Sequence, residues 1–148
     1  MYLILKFVHV LLAMTAVGAN MTYGVWFYRA NAHPEFATVA LRGIKFIDDY
    51  IANPAYVLLL PTGAAMVWMS GLGFQTLWIQ LGMSLWLAAI VIAYAGYTPT
   101  LSRQIRVVAE KGLNDPLAGK LALRANVFAG ILGVVVIAIV VLMIFKPT

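Results

Sequence analysis

In a chain this apolar, the few polar side chains within its hydrophobic stretches are the first guide to chemistry. Tyr2, Lys6, His9, Ala13, Ala16, Asn20, Tyr23 and Phe27 recur alternately four and three residues apart. That spacing puts them on one face of a helix. His9 is the sharpest candidate among them. A neutral imidazole projecting into a helical bundle suits axial ligation of haem iron, and bundles commonly hold cofactors in this way. Ala13 and Ala16, one and two turns further on, would leave room for a flat macrocycle. Two other readings of His9 stand beside ligation. One is a hydrogen bond to Gln80, Ser84 or a backbone carbonyl, and the other is proton handling. Lys6 divides between pairing with a haem propionate and snorkelling to the membrane surface.

Smaller polar sets recur further along. Thr62, Met66 and Met69 share a face, Gln80 and Ser84 are one turn apart, and Tyr94, Tyr97 and Thr98 cluster together. Asn126, Gly130 and Gly133 form another face, whose glycines would let helix backbones approach closely. Packing accounts for most such sets. His33, beside Pro34, reads as an interfacial residue.

These residues must be positioned by helices in lipid. Of 148 residues, 64% are hydrophobic and 10% charged, with a mean hydropathy of +0.94. No soluble domain of this size could build a polar shell from that, and apolar runs of eighteen or more residues read as transmembrane helices. The expected fold is all-α: a single integral membrane domain, 1–148, built as a four-transmembrane-helix bundle. The spans are expected at about 2–27, 54–69, 76–97 and 126–145. The first could be mistaken for a signal peptide, but its apolar run continues through Trp26 and Phe27, too long for a signal core.

Between the spans, Phe36, Ala40, Gly43/Ile44 and Ile47 recur at helical spacing. This predicts an amphipathic interfacial helix in the first loop. Pro61 is expected to kink the second span and Pro99 to break or kink the third. A polar helix is expected over 100–111, with Gly112 as a left-handed cap. Asp115-Pro116 then reads as an N-cap and first-turn proline opening a long helix to Phe145. Eight of the ten lysines and arginines fall in the first and third loops (Arg29, Arg42, Lys45, Arg103, Arg106, Lys111, Lys120, Arg124). By the positive-inside rule both loops face the cytoplasm of a bacterial inner membrane and both termini face outward.

Several chemistries are excluded or disfavoured. The absence of cysteine removes disulfides, thiolate nucleophiles, iron–sulfur clusters and c-type haem. No phosphate loop, zinc spacing or Ser-His-Asp arrangement is present. The five carboxylates, Glu35, Asp48, Asp49, Glu110 and Asp115, all fall in predicted loops, which argues against a small proton- or cation-coupled transporter. The net charge of +5 reads as basic loops on an anionic lipid surface, since no aromatics interleave the Arg103–Arg124 segment as nucleic-acid binding would favour.

Four motifs together resemble a bacterial family of predicted integral membrane proteins, domain of unknown function 2269. They are Leu5-Lys6-Phe7-Val8-His9-Val10, Pro61-Thr62-Gly63, Tyr97-Thr98-Pro99 and the terminal Leu142-Met143-Ile144-Phe145-Lys146-Pro147. The Lys-x-x-His opening and Lys-Pro ending are also similar to HemJ-type protoporphyrinogen oxidases and, more loosely, to copper-resistance D domains. The oxidase resemblance implies that His9 ligates haem. It also implies a lysine in the third span, where this chain has none, and Gln80 lies near that place. A haem would then be five-coordinate or use a methionine such as Met66 or Met69. The expected haem b site thus comprises His9 on iron, with Lys6, Asn20, Gln80 and Met66. The other expectation is a non-catalytic accessory or assembly subunit, touching membrane lipids and a larger complex or a second copy. Its motivation is the scarcity of catalytic groups, with the Gly130/Gly133 face and Trp26, Trp68, Trp78 and Trp86. A pore or carrier resting on Met66 and Met69 ranks last, as methionines more often pack.

Overall fold

In hydrocarbon each apolar stretch must satisfy its own backbone, and a helix does so without a partner. The computed structural model describes residues 1–147 and is helical almost throughout, with no strand among the described residues. Helix α1 spans Tyr2–Ala32. A 3₁₀ turn, Pro34–Phe36, leads to α2 (Ala37–Ile47), a π-helical turn (Asp48–Ala52) and α3 (Asn53–Ser70). Then come α4 (Leu77–Ile92), a second π-helical turn (Ala93–Tyr97) and α5 (Thr98–Lys111). The last helix, α6, spans Pro116–Phe145. Four of the resulting rods, Tyr2–Ala32, Pro34–Ser70, Leu77–Lys111 and Pro116–Phe145, are long and apolar enough to cross a membrane.

The turns follow from local chemistry. Gly71 and Gly112 both take positive φ, where a side chain would be strained; Gly71 is a left-handed cap, whereas Gly112, expected to be one, has an extended ψ of 169° instead. Asp115 caps α6 by accepting the Leu117 backbone N–H at 2.8 Å, with Pro116 in the first turn. Pro99 breaks nothing. It occupies the first turn of α5, where its missing N–H costs little, and the preceding π-helical turn carries the chain straight into that helix.

The first-loop helix exists, with Ala40 and Ile44 buried and Ile47 packed against the core as expected, but Phe36 is exposed, and Ala37 and Leu41 complete the buried face. That face packs on α1 and α5 and so is covered by protein rather than lipid. Elsewhere α1 packs on α3, and α4 on α6. A core of Tyr23, Leu41, Ile44, Tyr97, Leu101, Leu121 and Ala125 ties the two pairs together at the end bearing the basic loops. At the opposite end, the Lys146 ammonium lies 5.6 Å from the Trp78 ring centroid, joining the end of α6 to the start of α4. Leu3, Met14, Met21, Val134, Ile137 and Ile144 are exposed around the outside. Such an apolar girdle belongs in lipid.

Candidate functional site

Two polar sites lie along α1. The first is centred on His9, which is half-buried against α3. Its Nδ1 lies 2.7 Å from Thr62 Oγ1, and that hydroxyl donates its proton back to the Leu58 carbonyl at 2.7 Å, with Leu59 O at 3.1 Å. With the hydroxyl proton on the Leu58 carbonyl, Thr62 is the acceptor for the imidazole, and in that tautomer His9 carries its proton on Nδ1 and leaves the Nε2 lone pair free. Gly63 leaves the imidazole room, because a Cβ there would stand 3.2 Å from His9 Cε1, tighter than ordinary contact.

The expected companions of His9 are scattered. Lys6 is exposed one turn before it. Met66 is half-buried one turn beyond Thr62 on α3. Gln80 and Ser84 are exposed on α4, which packs on α6, so neither joins His9. Asn20 is eleven residues away, about 16 Å along the helix. Ala16 is fully buried in packing, so the room for a macrocycle expected beside Ala13 and Ala16 is closed at Ala16. Asn126 and Gly130 are exposed, and nothing lies within 4 Å of where Gly130 or Gly133 would carry a Cβ, so that face makes no close helix contact within the chain.

The second site was not anticipated, and it overturns the placing of every carboxylate in a loop. Asp48 is only 6% exposed. It accepts the Tyr23 hydroxyl at 3.1 Å on one oxygen and the Asn53 amide at 3.4 Å on the other. Asn20 donates to the Tyr56 hydroxyl and to the Ala16 carbonyl at 3.2 Å. Trp86 of α4 donates its indole N–H to the Tyr56 carbonyl at 3.0 Å. Tyr97 stacks on Tyr23 with rings 8° from parallel and centroids 6.4 Å apart. Its hydroxyl is buried without a hydrogen-bond partner. Asn20, Asp48, Asn53, Tyr56, Trp86 and Tyr97 line a common cavity closed on its far side by Ala129, Leu132 and Val136 of α6. The signal for Asp48 was present in the sequence, since Ala37, Leu41, Ile44 and Asp48 are spaced four, three and four apart and the carboxylate continues the buried face of α2.

No group of three or more His, Asp or Glu side chains able to hold a metal ion occurs among the described residues. No curated protein and no solved structure matches the chain. A family model does match, over residues 3–147, and three of the four motifs supply the geometry just described: His9, Thr62-Gly63 and Tyr97. The chain belongs to the family described as predicted integral membrane protein (DUF2269).

Proposed function

We propose that this chain is a small multi-pass protein of the bacterial inner membrane that binds b-type haem through Nε2 of His9, in a redox or porphyrin-related role. The observation that carries the reading is the Thr62–His9 hydrogen bond. Histidines that ligate metals nearly always donate their other ring N–H to an orienting acceptor, and here that acceptor is in place with the free nitrogen opposite. A haem would supply one-electron or porphyrin chemistry. The chain's own residues would orient the imidazole and fix its tautomer, while Lys6 is an exposed cation one turn away for a propionate. The buried Ala16 keeps the macrocycle out of the α1–α3 seam at that level.

The test is a visible spectrum of detergent-purified protein expressed with ample haem. A Soret band is expected, lost in His9→Ala. In Thr62→Val, haem affinity should fall about 10- to 100-fold. A wild-type protein with no Soret band overturns the reading.

A second reading, an accessory subunit of a larger membrane complex, is favoured by the Asn126–Gly130–Gly133 face. An exposed amide beside bare glycines on a membrane helix is suited to another helix. Mild-detergent pull-down decides it, since an isolated monomer carrying its own haem would remove it.

A further inference from the structure

The Asp48 cavity lies apart from the His9 site. Tyr23, which holds Asp48, is fourteen residues from His9 on α1, about 21 Å along the axis. It is also six residues before Arg29, so the carboxyl is about 9 Å deeper than the first basic residue of the loop. A carboxylate buried there requires an opposite charge or a proton.

Lys45 lies within electrostatic reach of Asp48 but is paired with the Asp49 carboxylate, and no salt bridge to Asp48 occurs among the described residues. One carboxylate oxygen of Asp48 accepts from Tyr23 and the other, at 3.4 Å, from Asn53, and neither of these neutral donors brings a charge. A second observation points into the same space. Tyr97 is 2% exposed, lines the cavity and has a hydroxyl with no partner. Tyr23, Tyr56 and Tyr97 all lie within electrostatic reach of Asp48.

We propose that this cavity binds one alkali-metal cation, largely stripped of water, with Asp48 supplying the charge and the oxygens of Tyr97, Tyr56 and Asn20 contributing to its shell. The class of ligand follows from the donors and the room. All the donors are hard oxygens, which suit alkali and alkaline-earth ions and not soft metals. A single carboxylate balances one positive charge, whereas a divalent ion would remain uncompensated. The free space is about 30 Å³, on the scale of about one or two waters, which suits a small ion. Because the walls come from α1, both π-helical turns, α3, α4 and α6, an ion held there would clamp the α1–α3 pair to the α4–α6 pair.

The experiment uses the full chain in detergent. Thermal unfolding is followed by tryptophan fluorescence while NaCl, KCl or LiCl replaces choline chloride at constant ionic strength. At least one alkali ion is expected to raise Tm by several degrees with a saturable midpoint. Asp48→Asn should be insensitive to that ion. Tyr97→Phe, which removes one oxygen from a stacked ring, should keep the fold and shift the midpoint about five-fold upward, the loss of one polar contact. Identical curves in choline and in all three alkali salts overturn the proposal. So does an Asp48→Asn protein that keeps the response, or, where that variant fails to fold, a Tyr97→Phe midpoint equal to wild type. The haem spectrum of the same samples reads the His9 site independently, so the two proposals can fail separately.

Discussion

Thr62 shows how much a single side chain can decide at the residue scale. Its spacing with Met66 and Met69 placed it on a shared face, but nothing in the sequence paired it with His9. That pairing depends on the relative rotation of α1 and α3, which tertiary packing sets. Gly63 was legible only as a motif member, and its role emerges because a methyl there would crowd the imidazole at 3.2 Å. Gln104 was invisible for a different reason. It lies in the polar helix expected over 100–111, yet it is 2% exposed and its Oε1 has no hydrogen-bond partner. An unsatisfied buried carbonyl costs about 1–3 kcal/mol, and an apolar side chain of similar volume avoids that cost. Gln104→Leu is therefore expected to raise thermal stability, by about 1 kcal/mol after imperfect packing is allowed for. A fall in Tm for this variant, in detergent or in lipid nanodiscs, would mean that Gln104 is satisfied in the membrane.

Among the elements, the four spans, the Gly112 turn and the Asp115-Pro116 cap were all legible, because each rests on local chemistry. The two π-helical turns were not. An i→i+5 turn inserts a residue without a composition signal, so the loop expected at Asp48–Ala52 and the break or kink expected at Pro99 are both continuous helix. Asp48 follows the buried face that starts at Ala37, and a stripe that starts at Phe36 leaves it out. The second π-helical turn also sets up a close contact, since a Cβ on Gly96 would fall 2.7 Å from the Phe128 ring of α6. An aromatic ring wedged between helices has nowhere to retreat. Gly82 presents the opposite case, because its added Cβ would meet only the terminal methyl of Met143, at 2.9 Å. A thioether chain swings aside, and alanine has a helix preference over glycine of about 1 kcal/mol. Gly96→Ala is thus expected to destabilise by about 1–3 kcal/mol and Gly82→Ala to be neutral or mildly stabilising. Paired melting curves check this, and equal losses at both positions would contradict it.

For the whole molecule, orientation decides which compartment each site faces, and the distribution of charge argues for one answer. Arg29, Arg42, Lys45, Arg103, Arg106, Lys111, Lys120 and Arg124 share the end where α1 finishes and α6 begins, and Lys6 and Lys146 share the other. The tightly packed core is also at the basic end, built around Leu41, Tyr97 and Leu101. With that end in the cytoplasm, the Asp48 cavity lies about one to two turns inside the cytoplasmic boundary, and His9 lies near the outer leaflet. A cation would then exchange with the cytoplasm, and a haem on His9 would exchange electrons with partners outside. Reporter fusions test this directly. A green fluorescent protein fused after Lys146 is expected to be dark and an alkaline phosphatase at the same point active, with the reverse for fusions after Gly112. A fluorescent carboxy-terminal fusion would invert both assignments of access. The hydrogen bonds of the two sites would stand unchanged, because they depend on how the helices pack and not on which way the bundle points.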